Sequence, residues 1–121
     1  MVELSIHDGI LDVRLKGLHK VWALKSRIRV PLSKVREVRH DPGATMPWTA
    51  IRMPGTYVPG VITSGTYYVG GKKKEFWDVV RRERIVVIEL EDAEYDRLVV
   101  EVEDPLVAVR MIEEARKSRG G

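Results

Sequence analysis

The stretch Val2-Glu3-Leu4-Ser5-Ile6-His7-Asp8-Gly9-Ile10-Leu11-Asp12-Val13-Arg14-Leu15 decides how the chain is to be read. Val2, Leu4 and Ile6 are apolar at alternate positions, with Glu3, Ser5 and His7 between them, and Leu11, Val13 and Leu15 resume the alternation after Asp8-Gly9. A period of two belongs to a strand with one face on a core, and Asp-Gly suits the tight turn of a hairpin. The segment therefore predicts a β-hairpin.

Outward from it, Leu18, Val21 and Trp22 repeat at helical spacing over about two turns, and Ile28, Val30 and Leu32 then alternate with Arg27 and Arg29 as a strand. A short strand from Val35 to Arg39 follows. The stretch from Asp41 to Gly60 carries Pro-Gly pairs at Pro42, Pro54 and Pro59, which interrupt regular pairing and predict a long irregular loop over about 41–60. Val61 to Val69, Glu75 to Val80, Ile85 to Leu90 and Leu98 to Val102 read as four further strands, expected as an antiparallel meander. Asp104 is a strong N-cap, Pro105 suits the first helical position, and Ala108, Val109, Ile112 and Ala115 form an apolar stripe. They predict a C-terminal helix over about 105–117, stopped by Gly120 and Gly121, lying on a sheet or across a barrel mouth. The expected fold class is mainly β with one helix, in a single domain over residues 1–121, a length able to bury its own core.

Composition bounds the function. The chain has no asparagine, glutamine or cysteine, and 32% of it is charged. Amides and thiols are the side chains that heat degrades, so this is the composition of a thermostable protein. Without cysteine there is no disulfide framework, zinc ribbon or thiol nucleophile. The beginning Met1-Val2-Glu3-Leu4 lacks the basic and then apolar run of a signal peptide, and no apolar run approaches a membrane span. A soluble, cytoplasmic protein is expected. The net charge is only +3, but nine Lys/Arg face one acid, Glu37, between Arg14 and Arg39, whereas eight acids accompany one base, Arg97, between Glu89 and Asp104. Such faces pair with each other across neighbouring strands, or dock one copy of the chain on another.

About seven antiparallel strands closed by one amphipathic helix is the outline of a pleckstrin-homology-like (PH-like) barrel or roll. The run Met53-Pro54-Gly55-Thr56-Tyr57-Val58-Pro59-Gly60-Val61, then Gly65-Thr66-Tyr67-Tyr68, Lys74-Glu75-Phe76-Trp77-Asp78-Val79 and Tyr95-Asp96-Arg97-Leu98-Val99, ending in Asp104-Pro105, resembles the bacterial PH-like domain of prokaryotic proteins. The resemblance covers the chain from about Leu11 to the helix. It implies a PH-like roll in proteins of mostly unassigned role, some of them oligomeric, and brings no catalytic signature with it.

Six of the eight aromatic residues, Trp48, Tyr57, Tyr67, Tyr68, Phe76 and Trp77, fall between positions 48 and 77. They serve either to pin a loop against glycine-exposed backbone or, at Trp48, Tyr57, Tyr67, Tyr68 and Trp77, as a surface for a protein partner. Lys72, Lys73 and Lys74 follow Gly70-Gly71 on a turn, and Lys25, Arg27 and Arg29 project from one strand face. These six are the candidate contacts for anions or anionic lipid, although three lysines at about 1 kcal/mol each give only about millimolar membrane affinity. The stretch from Gly65 to Lys72 misses a phosphate-binding loop, with glycine where lysine is required and no Ser or Thr after it.

Catalysis has little support. His7, His19 and His40 lie in separate segments without metal-ligand spacing, and Ser5, Ser26, Ser33, Ser64 and Ser118 lack a nucleophile-elbow setting. The acids Glu91, Asp92, Glu94 and Asp96 lack the glycine and closing glutamate of an EF-hand. Nucleic acid is disfavoured by the acidic half and by the lack of Asn or Gln to read adenine. The sequence therefore points to a non-enzymatic binding or assembly module with no cofactor and no metal, self-associating or docking a protein partner. Attachment to anionic membrane through the basic residues is the first alternative, and a small-molecule enzyme on a PH-like barrel the second.

Overall fold

The computed structural model describes residues 2–15, 27–44, 51–52, 56–58, 62–69, 73–79 and 81–118; of 51–52, 56–58, 62–69, 73 and 82 it describes the backbone alone. The expected helical turns around Leu18 and Trp22 lie outside these residues. The rest is mainly β: strands β1 (Val2–His7), β2 (Ile10–Leu15), β3 (Arg27–Pro31), β4 (Val35–His40), β5 (Ile51–Arg52), β6 (Thr56–Val58), β7 (Ile62–Val69), β8 (Lys73–Val79), β9 (Ile85–Leu90) and β10 (Arg97–Glu101), followed by helix α1 (Pro105–Ser118). They form a three-stranded sheet, β1-β2-β3, and a larger sheet in the order β4-β9-β10-β8-β7-β5, with β6 also paired to β7. The described strands do not join into a closed barrel. Short strands β5 and β6 lie within the stretch expected to be irregular.

The opening hairpin forms as its pattern requires. Asp8 and Gly9 both have positive φ, 52° and 76°, the signature of a type I′ turn whose twist matches that of paired strands. His7 is set opposite Ile10, and the register runs back to Val2 opposite Leu15. Leu11, Val13 and Leu15 are buried on the inner face, whereas Glu3, Ser5 and His7 are exposed on the outer one.

The larger sheet is buried on both faces at its centre. Ile85, Val86, Val87 and Ile88 are all fully buried, as are Leu98, Val99 and Val100. Such unbroken apolar runs belong to a strand with no solvated side. Val86, Ile88, Leu98, Val100 and Phe76 pack with the inner face of the small sheet and with Ala108 and Ile112 of α1. Ile85, Val87 and Val99 pack on the opposite face with Ala44, Trp77 and Val79.

The order of these strands departs from an antiparallel meander. β10 lies between β9 and β8, antiparallel to the first and parallel to the second, with Leu98 beside Phe76 and Val99 beside Trp77. Inserting β10 gives its apolar run Leu98-Val99-Val100 neighbours on both sides. The Asp96 amide donates to the Lys74 carbonyl at 2.7 Å and the Lys74 amide donates to Asp96 Oδ2 at 2.7 Å, which latches the turn before β10 onto the start of β8. Phe76 and Tyr95 meet edge-to-face beneath that latch, with centroids 5.9 Å apart.

Helix α1 begins where the sequence places it. The Val107 amide donates to Asp104 Oδ1 at 3.3 Å, and the Ala108 amide donates to the Asp104 carbonyl at 3.0 Å. Ala108 and Ile112 are buried, while Val109, Met111 and Ala115 are half-buried against the same core. At its other end Arg116 donates to Glu113 and to the Arg36 carbonyl, fastening α1 to β4.

Candidate functional site

Two places gather polar and apolar groups beyond what the core requires. The first is a charged row across the larger sheet, on the face that also carries Trp77. Arg97 on β10 stands beside Glu75 on β8, and Nη2 donates to Glu75 Oε1 at 2.8 Å. The Trp77 indole N–H donates to the same oxygen at 3.0 Å, and the Arg97 guanidinium lies 6.0 Å from the ring centroid. Glu75 is only 4% exposed, so this carboxylate is a buried structural acid held by two donors. The row continues on β4 and β9, where Arg39 contacts Glu37, Asp41 and Glu89, the last at 3.0 Å. Burial opposes the charge of Arg39, but the hydrogen bonds it donates to Glu89 and Glu37, with the attraction of both carboxylates, outweigh it and raise the Arg39 pKa above its ordinary value.

The second place is a groove of about 190 Å³ between β1 and the first turns of α1. Val2 and Leu4 form one wall, Val107, Ala108 and Met111 the other, and Val102 lies between, with Glu3, Glu103 and Asp104 at the rim. Leu106 and Val107 stand 67% and 57% exposed on the first turn of α1. They are large apolar groups placed where a core-facing helix would carry polar ones.

The groove runs beside a bare strand edge. Because His7 and Ile10 bracket a two-residue turn, His7, Ser5 and Glu3 exchange their backbone hydrogen bonds with β2. The N–H and C=O groups of Val2, Leu4 and Ile6 therefore point away from β2, and among the described residues no strand pairs with them. The edges at β3 and β4 carry blocks of the ordinary kinds. β3 has Arg27, Arg29 and Pro31, while β4 has a bulge between Val35 and Glu37 and the Arg116 contact. β1 has neither proline nor lysine.

The residues expected to carry function are scattered across the molecule. Trp77 is 3% exposed and works in the core, against the reading that offered it as partner surface. The register sets it opposite Gly65 on β7, consistent with an aromatic placed where glycine leaves room. Tyr57 belongs to β6, and Tyr67 and Tyr68 to β7, opposite Glu75 and Lys74. Their side chains lie outside the described residues, as do Trp48, Lys25, Lys72 and the side chain of Lys73. Lys74 is half-buried: its ammonium lies 3.5 Å from Glu94 and 4.8 Å from the centre of the Tyr95 ring. Arg27 binds Asp12 through Nε at 3.0 Å and Nη2 at 2.7 Å, and this hydrogen bonding, with the attraction of the carboxylate, raises the Arg27 pKa. Arg29 is exposed on the outer face of the small sheet. Sequence reading missed the β1 edge and the groove; the signals were a long unguarded first strand and Leu106-Val107 ahead of the helical stripe.

Among the described residues no cluster of three or more His, Asp or Glu side chains could hold a metal ion, and no helix is long and apolar enough to cross a membrane. No family model, no curated protein and no solved structure matches this chain.

Proposed function

We propose that this chain is a PH-like, non-enzymatic module that works by protein contact, most directly by self-association. The observation that carries the reading is the unguarded β1 edge beside an apolar groove, with Leu106 and Val107 exposed next to it. An open edge offers a row of backbone donors and acceptors, and the apolar wall adds non-directional attraction. The two-sheet core with α1 against β1, β4 and β9 supports the PH-like part of the reading, although the parallel pairing of β10 with β8 departs from a simple roll. Attachment to anionic membrane gains less support, because Arg27 is tied to Asp12 and Lys74 to Glu94.

Native mass spectrometry of protein purified without denaturation tests this proposal. A defined multimer without added mass is the expected result. A monomer carrying lipid or a metabolite would overturn it and redirect attention to the basic residues or to an enzyme.

A further inference from the structure

We infer that β1 is the contact strand of a two-fold homodimer, in which it pairs antiparallel with β1 of a second copy and joins the two small sheets into one six-stranded sheet. This rests on the self-association reading and names its surface.

The strand is self-complementary in a particular register. The outward backbone groups belong to Val2, Leu4 and Ile6, so these residues must form the hydrogen-bonded pairs of the new ladder. Setting Ser5 opposite Ser5 of the second copy pairs each Leu4 with the other copy's Ile6. It also sets each Glu3 against the other copy's His7, so that a carboxylate faces the one side chain of β1 able to carry positive charge. Leu4 and Ile6 are half-buried on the inner face, and pairing finishes their burial without turning any residue to the wrong side. His7, now 3.2 Å from Asp8, lies at the end of the strand where it meets Glu3.

A six-residue strand edge falls short of the roughly 1,200 Å² that a stable interface buries. The antiparallel arrangement brings Ile6 of the second copy, with the turn after it, to the end of β1 where Val2 and Leu4 line the groove. That supplies further apolar contact against Val107 and Met111. An isologous contact of this kind closes on itself as a dimer, and the joined sheet then ends on both sides in β3, whose edge carries Arg27, Arg29 and Pro31.

The chain contains no cysteine, so one substitution reports the register. Ser5→Cys sets two thiols directly opposite in a non-hydrogen-bonded pair, where the Cβ atoms are close enough to bridge. Mild oxidation should convert the dimer to a reducible covalent dimer, and Ser118→Cys, at the far end of α1, should stay uncrosslinked. Val107→Glu is the second probe: it puts an acid in the first turn of α1, three residues after the Asp104 cap, where helices favour it, so the fold should persist. It should weaken dimerisation by tenfold or more while leaving the circular dichroism spectrum and melting temperature of the monomer intact. A dimer by native mass spectrometry in which Ser5→Cys fails to crosslink would overturn the β1 interface and leave self-association standing. Unchanged dimer affinity in Val107→Glu would remove the groove from the interface, and a monomeric parent protein would sink both proposals.

Discussion

Glu75 shows how one side chain reads differently from its spacing and from its surroundings. It follows the exposed-looking run Lys72-Lys73-Lys74, yet it is buried and receives both the Arg97 guanidinium and the Trp77 indole. Removing its charge leaves Arg97 largely buried, with Nε already lacking a hydrogen-bond partner among the described residues. A buried pair broken from one side costs far more than an exposed pair contributes. Glu75→Gln should therefore lower stability by about 3 kcal/mol, seen as a fall in the urea midpoint with unchanged slope. Glu37→Gln, at the more exposed end of the same row, should cost less than about 1 kcal/mol. Equal losses at the two positions would show that the Arg97 pair is as well solvated as the Arg39 contacts.

Among elements, the β1–β2 hairpin and β9 pose opposite problems. The hairpin depends on its turn, since Gly9 sits at φ 76°, where a Cβ is strained. Gly9→Ala should cost about 1 kcal/mol by equilibrium unfolding, and it should also loosen β1 and with it any contact that β1 makes. The central strand β9 depends instead on burial. Ile85 and Ile88 face different clusters and are both fully buried. Ile85→Ala and Ile88→Ala should each destabilise by about 2–5 kcal/mol, with thermal and chemical unfolding agreeing. A loss below about 0.5 kcal/mol for Ile85→Ala alone would mean that only the side toward the small sheet is a core.

For the molecule as a whole, the division between a basic early part and an acidic late part resolves into several separate contacts. Arg36 and Arg39 meet Glu89 across β4 and β9, whereas Arg27 turns to Asp12 within the small sheet. Part of the imbalance is thus settled inside one copy, as cross-strand pairing, and among the described residues the apolar and backbone-rich margin at β1 and α1 is the surface we propose for assembly. Self-association through that margin should be weakly sensitive to salt. Dimer dissociation constants measured by analytical ultracentrifugation should change less than about tenfold between low and high ionic strength, because exposed pairs such as Glu3 with His7 contribute little. A steep rise with salt would return the charged faces to consideration as the interface.

The first hairpin, the apolar character of β9 and β10, and the start of α1 at Asp104-Pro105 were all determined by sequence alone. Each depends on near neighbours: alternation, a turn dipeptide, a cap, an unbroken apolar run. The placement of β10 between β8 and β9, the burial of Glu75 against Arg97, and the core position of Trp77 were decided only by tertiary structure. Period-two patterning says which face a residue shares and is silent on which strand lies beside it or in which direction that strand runs. That β1 is an edge among the described residues is likewise visible only from the order of the strands, because an edge is defined by the neighbour a strand does not have.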